Sequence, residues 1–299
     1  MEVIEFNGWS CARLVSGDVE AFVTLDVGPR VVRLGFVGDP NELHESPTEK
    51  ALKGGDEYRS YGGHRLWVAP EDFDVTYFPE NEPVEVAEEG DWIAFSSATD
   101  KHGLQRELRI KSSGEGCFEL EHRIHNRGIA PFTFAPWALT VMAPGGECLF
   151  PQEPFAAHSE NFLPVRPLVL WAYTDMTDPR WTWGQRLIRL RHDPNGKPQK
   201  VGAFVSAGWA AYKNGDRLFV KRFPAVENGS YLDFGCNFET FTRHDMLEVE
   251  SVGQKEDVQP KDYASLRECW SLTRPASWPS DESALADALA RIADQCPRP

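Results

Sequence analysis

The feature that most constrains the fold of this chain is the alternation of apolar and polar residues along much of its length. Residues 104–111 place Leu104, Leu108 and Ile110 on one face and polar or charged side chains on the other, and residues 118–125 repeat the pattern. A period of two is typical of strands with one buried face. Clusters of Gly, Asn, Asp and Pro separate such runs. The sequence therefore predicts an all-β fold, a large antiparallel two-sheet β-sandwich.

Two local signals are sharper. Asn214-Gly215 lies between two apolar runs and favours a type I′ hairpin, so we expect residues 201–212 to pair with 217–223. Residues 280–296 form the one good helical pattern. Ser280 is the predicted N-cap, Leu285, Leu289 and Ile292 recur on one face, and Pro297 follows.

Length and charge restrict the classes of function. The chain has 299 residues, 41% hydrophobic and 26% charged, and all-β sandwiches of this size routinely form one domain. We expect a single domain over 1–299, with the sandwich at 1–275 and the helix at 280–296. The formal net charge is -15. Because this field repels phosphate backbones and anionic lipids, neither nucleic acid nor a membrane is expected as a partner.

The six cysteines are scattered and form no CxxC pair, and the N-terminus shows no basic and apolar leader pattern. These features favour reduced thiols in a cytoplasmic protein. No HExxH, GxSxG, Walker A or GxGxxG motif is present. His122 and His125 lie near two glutamates, but residues three apart on a strand point to opposite faces. We therefore expect no metal site there and interpret both residues as ordinary surface or strand histidines. No cofactor is expected either.

Several stretches together resemble an uncharacterised bacterial family of the galactose-mutarotase-like (aldose 1-epimerase-like) superfamily. They are FVTLDVGPRVVRLGF (22–36), YGGHRLWVAPE (61–71), GWAAYKNGDRLFVKRF (208–223), FGCNFETFTRHDMLEVESVG (234–253) and ECWSL (268–272). The resemblance covers nearly the whole chain except the terminal helix. It implies the galactose-mutarotase-like supersandwich, a sugar-binding cleft on a concave sheet, and a sugar-contacting arginine at Arg65.

The sequence departs from the aldose mutarotases of that superfamily at the acid–base pair. Their histidine acid corresponds to the segment FAPWALTVM (134–142), where Trp137 occupies the position. Their second histidine has no clear counterpart unless His64, beside Arg65, replaces it. The base glutamate has candidates in LEVES (247–251), namely Glu248 and Glu250.

The segment 236–251 reads as a hairpin that gathers carboxylates. A turn at 243–244 or 242–245 pairs Glu239 with Glu248 and Asn237 with Glu250, and alternation places all four on one face. Opposed like charges destabilise a strand pair unless something compensates. Such pairs also provide acid–base chemistry, because one pKa is raised relative to the other. The alternative is a solvated outer strand whose glutamates extend into water.

Further substrate-binding candidates come from aromatic and polar loop residues. The chain has ten tryptophans, and sugars bind aromatic rings through their C–H faces while hydrogen-bonding donors and acceptors fix orientation. One of Trp67, Trp137, Trp181 and Trp183 is expected to contact ligand. Arg65 and Asp175 are candidates too, with a surface salt bridge and a turn-forming role as the respective alternatives.

Two functions from different classes follow. The first is aldose 1-epimerase-like interconversion at the anomeric carbon of a neutral sugar, in which Glu248 or Glu250 takes the anomeric proton. The second is a non-catalytic carbohydrate-binding or sensing protein, and a polysaccharide lyase or glycoside hydrolase is a third possibility. The expected partner is a small sugar or sugar derivative, and the expected state is a monomer or weak homodimer.

Overall fold

The computed structural model describes residues 1–299, of which 45% lie in strands and 4% in helix. The strands, in chain order, are β1 (Glu2–Phe6), β2 (Trp9–Ser16), β3 (Val19–Thr24), β4 (Val31–Phe36), β5 (His64–Ala69), β6 (Glu85–Glu89), β7 (Trp92–Ser96), β8 (Leu104–Ser112), β9 (Cys117–Asn126), β10 (Phe132–Met142), β11 (Glu147–Pro151), β12 (Leu168–Leu170), β13 (Trp181–Trp183), β14 (Leu187–Arg191), β15 (Gln199–Ala203), β16 (Trp209–Asn214), β17 (Arg217–Arg222), β18 (Phe238–Arg243), β19 (Met246–Val252), β20 (Glu256–Val258) and β21 (Tyr263–Thr273). The helix α1 spans Glu282–Ala293.

The strands form two antiparallel sheets, which confirms the predicted sandwich. The eleven-stranded sheet has the order β1-β2-β3-β4-β5-β10-β19-β18-β15-β12, with β20 paired to β10. The ten-stranded sheet has the order β13-β14-β11-β16-β17-β21-β9-β8-β7-β6. The largest buried apolar cluster joins the two sheets, with Val249 and Phe238 from one and Phe118 and Trp270 from the other. The opposite face of the eleven-stranded sheet is therefore free to carry a site.

The expected strand at 201–212 is wrong in extent, because the chain changes sheets within it. Residues up to Ala203 belong to β15 in the eleven-stranded sheet, whereas Trp209 begins β16 in the other. Asn237 holds the crossing segment by accepting a hydrogen bond from the Val205 N–H at 2.7 Å and donating one to its carbonyl oxygen at 3.2 Å. Gly208, with φ of +64°, then redirects the backbone into β16.

The β16–β17 hairpin forms as expected, but its turn lies one residue later than Asn214-Gly215. Asn214 pairs with Arg217, so Gly215 and Asp216 make the two-residue turn. Gly215 has φ of +62°, and Asn214 keeps a strand conformation. Glycine takes the left-handed position because it has no Cβ.

The helix is confirmed, but it begins after Asp281 and not Ser280. The Asp281 side chain accepts a hydrogen bond from the Ala284 N–H, which fixes the N-cap. Leu285 and Leu289 pack on Leu149 and Leu218 of the ten-stranded sheet. No helix in the structure has the length and apolar character needed to cross a bilayer.

Candidate active site

The strand registers arrange side chains in rows on the outer face of the eleven-stranded sheet, away from the sandwich core. One row runs across five strands through Arg65, Leu139, Glu250, Glu239 and Gly202. The next row contains Val141, Glu248, Phe241 and Lys200. A third contains Trp67, Trp137 and Val252. Alternation thus gathers residues from distant parts of the sequence on one surface.

A buried ion cluster occupies the centre of this face. The Lys200 Nζ lies 2.7 Å from the Glu239 Oε2 and 3.2 Å from the Glu250 Oε2. The Trp137 Nε1 donates to the same Glu250 oxygen at 2.9 Å. The ammonium group also lies 4.7 Å from the ring centres of Trp137 and Trp171. One cation therefore compensates both carboxylates.

Close approach of Trp171 to this cluster depends on a glycine. A Cβ on Gly202 would lie 2.5 Å from the Cys236 Sγ and 3.4 Å from the Trp171 ring. Gly202 follows Lys200 by two residues in β15, so both lie on the same face of the strand. Any larger residue at 202 would displace Trp171 or Cys236, and the side of Lys200 now covered by the Trp171 ring would be opened.

The pKa values of both Glu239 and Lys200 are raised, by burial and by the neighbouring charges respectively. Burial raises the pKa of Glu239 to about 8, against the effect of the Lys200 ammonium. Burial alone would lower the pKa of Lys200, but the nearby Glu250 and Glu239 carboxylates outweigh it and raise that pKa. The lysine therefore remains a cation and does not donate a proton near neutrality.

Glu248 differs from the other two glutamates because it lines a cavity of about 260 Å³. The Arg65 Nη2 donates to its Oε1 at 3.1 Å, and the Arg65 guanidinium lies 4.3 Å from the Trp67 ring centre. Burial raises the pKa of Glu248 to about 7 despite Arg65. Glu248 can therefore both gain and lose a proton near neutral pH.

The cavity wall is largely aromatic. Tyr58, Trp67, Tyr77, Trp137 and Tyr173 line it. Polar lining groups include Arg65, Lys200, His44 and Glu71. Aromatic walls with a few directed polar groups are typical of small-molecule sites.

His44 supplies a second titratable group in the same cavity. Its backbone N–H donates to the Val141 carbonyl oxygen at 2.9 Å, and Val141 pairs with Glu248 on the other side. His44 and Glu248 therefore flank Val141, and all three line the cavity. Burial lowers the pKa of His44 below its ordinary value, so its imidazole is neutral where Glu248 titrates.

The predicted register of the glutamate hairpin is wrong by two residues. His244 and Asp245 form the turn, so Arg243 pairs with Met246, Glu239 with Glu250, and Phe241 with Glu248. The shorter turn brings two more residues into the ladder. Since a shift of two residues preserves the facing of every side chain, the predicted grouping of the three glutamates on one face is correct.

Five candidate binding residues lie outside the cavity, among them Trp183, whose Nε1 donates to the Met176 carbonyl oxygen at 3.1 Å. His64 is on the core side of β5, opposite Arg65, because adjacent strand residues face opposite ways. Asn237 uses its amide to hold Val205 and Pro224. Asp175 is exposed and accepts hydrogen bonds from Thr177, which is the turn-forming alternative. Trp181 packs in the core and donates to the Gln199 Oε1 at 3.1 Å.

A second polar cluster, between the sheets, holds the atoms best placed to ligate a metal. The His64 Nε2 and the Glu268 Oε2 each lie 3.3 Å from the His122 Nε2. The Lys221 Nζ, however, lies 2.8 Å from the other Glu268 oxygen and already supplies a positive charge. Lys221 also donates to the Thr140 Oγ1 at 3.0 Å, and this hydroxyl contacts the His64 Nδ1 at 3.0 Å. The cluster is therefore best described as a closed hydrogen-bonded ring.

His122 and His125 point to opposite faces of β9, as predicted. His122 is a strand histidine, the second of the two predicted alternatives, and it lies in the interior between the sheets. His125 contacts Glu107 on the outer face of the ten-stranded sheet. The signal for the interior ring was present in the sequence, since His122, Lys221 and Glu268 each take an apolar-face position between core residues.

No comparable signal in the sequence marks His44, Lys200, Tyr58 and Tyr77. His44, Tyr58 and Tyr77 lie in irregular segments, where no periodicity defines direction. Lys200 lies in a short strand that is buried on both faces and does not alternate. These residues reach the cavity only through tertiary folding.

No family model and no curated protein matches the chain. Solved structures match over most of its length. A galactose mutarotase-like protein from Lactobacillus casei has a TM-score of 0.59 at 9% identity, covering 88% of this chain and 100% of that one. A galactose mutarotase related enzyme from Lactobacillus acidophilus has a TM-score of 0.57 at 7% identity, covering 89% and 99%. A galactose mutarotase-like protein from Clostridium acetobutylicum has a TM-score of 0.52 at 12% identity, covering 92% and 98%.

At these identities the likeness shows the fold. The chain has the galactose-mutarotase-like fold, as the sequence resemblance implied. The fold does not determine what chemistry the cavity performs, which must be argued from its own residues.

Proposed function

We propose that the protein is an aldose 1-epimerase-like enzyme acting on a neutral sugar, with Glu248 and His44 as the acid–base pair. The observation that carries the proposal is that a carboxyl group with a pKa of about 7 and a neutral imidazole line one cavity on opposite sides of Val141. Groups that titrate close to the operating pH are the most effective general acids and bases. The neighbours of similar fold, named for galactose mutarotase, support the same reaction class.

In the proposed reaction the neutral His44 takes the proton of the anomeric hydroxyl. The bond between C1 and the ring oxygen breaks, and the Glu248 carboxyl gives its proton to that oxygen. The open-chain aldehyde rotates about the C1–C2 bond and closes on the other face, with both proton transfers reversed. The reaction is an isomerisation, so the proposal requires no cofactor.

The other cavity residues have binding roles in this proposal. Trp67, Trp137 and the neighbouring tyrosines contact the sugar ring. Arg65 orients Glu248 through its 3.1 Å contact. Glu239 and Glu250 lie behind Lys200 and Trp137 and fix both side chains, so they are positioning residues and not the proton donors. The cavity of about 260 Å³ is slightly smaller than a site for a drug-sized molecule, which suits a single sugar ring.

A non-catalytic sugar-binding protein is the second candidate. The ion pair of Glu248 with Arg65 favours it, because it engages the carboxylate that would exchange the proton. In either case we propose a cytoplasmic location and a monomer or weak homodimer. Six unpaired buried cysteines support a reducing compartment.

Polarimetry on freshly dissolved anomers of several aldoses tests the proposal. We expect wild-type protein to accelerate mutarotation of at least one, and Glu248→Gln and His44→Ala to lower the rate by about 100-fold or more. Glu227→Gln, in an exposed turn, is the matched control. Calorimetric binding without acceleration would favour the second candidate. No binding and no acceleration for any aldose would reject both.

A further inference from the structure

The cavity of Glu248 continues at one end into a wider depression of about 880 Å³. Three residues, His44, Ser60 and Arg243, line both spaces. The remaining wall of this outer depression comes from residues 40–49, Ala143-Pro144 and the β18–β19 turn. The two spaces therefore meet at His44, Ser60 and Arg243, and a ligand bound at Glu248 has the outer depression beside it.

The outer depression differs from the cavity in chemistry. No Phe, Tyr or Trp side chain lines it, whereas hydroxyl, amide, imidazole and charged groups do, among them Ser46, Thr48 and Asn41. The cavity thus provides surfaces for the faces of one sugar ring, and the depression provides hydrogen-bonding groups for a further polar unit.

The charges of the outer depression are paired among themselves. The Arg243 Nε donates to the Asp245 Oδ1 at 2.7 Å. The Glu45 Oε2 contacts the Lys50 Nζ at 2.7 Å, and Glu49 accepts a hydrogen bond from the Tyr61 N–H at 2.7 Å. No cluster of free basic groups is available for a phosphate, which typically binds to arginines that can donate two hydrogen bonds. Asp245 and Glu45 would also repel an anion.

We infer that the ligand is a neutral oligosaccharide of two or more units, whose reducing-end ring enters the cavity and whose next unit lies in the outer depression. This inference rests on the proposed function, because only the reducing-end unit carries a free anomeric hydroxyl for His44 and Glu248. The remaining sugar units must lie outside the cavity. The outer depression is the space that adjoins the cavity at His44 and Arg243.

The experiment compares affinities by calorimetry for three pairs of probes: glucose with cellobiose, glucose with maltose, and galactose with β-1,4-galactobiose. At least one disaccharide should bind about ten-fold or more tightly than its monosaccharide. Thr48→Arg, an exposed position on the depression wall, should abolish that gain and leave monosaccharide affinity unchanged. Thr182→Arg, exposed on the ten-stranded sheet, should keep the gain.

The outcomes separate this inference from the function on which it rests. Monosaccharide turnover that depends on Glu248, with no gain for any disaccharide, would overturn the inference and leave the proposed function standing. Tighter binding of glucose 6-phosphate than of every disaccharide would show that the depression recognises an anion and would also overturn it. Absence of binding for all probes would reject both.

Discussion

Glu239 lies directly opposite Glu250 on neighbouring antiparallel strands, and the Lys200 Nζ contacts both carboxylates. Directly opposed side chains have Cβ atoms about 5 Å apart, where like charges repel. The pair is tolerated because Lys200 reaches it from β15, two strands from β19.

Replacing Lys200 with Met should lower the free energy of unfolding by about 3–5 kcal/mol, because two buried carboxylates lose their only ammonium partner. Urea denaturation at pH 9, above the pKa of about 8 of Glu239, measures the change. The control is Lys197→Met, at an exposed position of the same segment, which should change stability little. A loss below about 1 kcal/mol for Lys200→Met would mean that the carboxylates share a proton instead.

The raised pKa of Glu239 predicts a specific pH dependence of stability. The folded protein binds this proton more tightly than the unfolded chain, since burial raises the pKa from 4.5 to about 8. The stabilisation is complete below pH 4.5 and is lost as the pH rises towards 8. As the pH rises from 5 to 8, wild type should therefore lose stability that Glu239→Gln keeps. The difference in free energy of unfolding between the two proteins should shift in favour of the variant by about 1 kcal/mol or more. Parallel stability curves for the two proteins would contradict the shift.

The proposed acid–base pair predicts a bell-shaped pH–rate profile. His44 must be neutral, so the rate should fall as the pH drops through the lowered pKa of His44. Glu248 must be protonated, so the rate should fall again above its pKa of about 7. Polarimetry across pH 4–9 measures both limbs. A rate that continues to rise above pH 8 would show that Glu248 acts as the base, with another group as acid.

The buried pair of Lys221 and Glu268 predicts strong energetic coupling. Burial lowers the pKa of Lys221. Although burial opposes it, the Lys221 ammonium and His122 hold the pKa of Glu268 well below its usual range. Lys221→Met and Glu268→Leu should each cost about 3–5 kcal/mol, and the double variant should cost less than the sum. Additive losses in urea denaturation would show that the two groups do not interact.

Removing the chain after Pro279 should leave the sandwich folded but less stable. The truncation exposes the apolar surface under Leu285 and Leu289, and it removes the Ala293 carbonyl that accepts from the Arg222 Nη1 at 2.9 Å. Leu289→Ala alone should cost about 2–5 kcal/mol. Arg291→Ala, at a position of the same helix outside the apolar cluster, is the control. Loss of all cooperative melting in the truncated chain would show that the helix is part of the folding core.

The sandwich and the glutamate face could be predicted because both depend on a period of two. Residues 104–111 alternate in the sequence and in β8. Glu239, Glu248 and Glu250 lie on one face of the sheet in both the predicted and the observed register, because the two registers differ by two residues. The resemblance to mutarotase-like proteins implies a sugar-contacting arginine at Arg65, and in the structure Arg65 lines the same cavity as Trp67 and Glu248.

The composition of the cavity could not be predicted in the same way. His44 enters the cavity wall on a loop that joins β10 by backbone hydrogen bonds, and no local pattern encodes that placement. The prediction of His64 as a binding residue rests on its proximity to Arg65 in the sequence, but adjacent residues of a strand face opposite sides. Which carboxylate lines the cavity depends on Lys200 and Trp137 covering the other two.

The alternation along β19 restricts which changes in the sequence of this hairpin the protein can tolerate. Leu247 and Val249 face the core, whereas Glu248 and Glu250 face outward. A slip of one residue would bury both carboxylates in the core and expose both apolar side chains. An inserted or deleted residue in the β18–β19 turn would thus damage chemistry and folding together. The ligand specificity of the cavity can therefore change by substitution in the loops around it, but not by adding or removing a single residue in this hairpin.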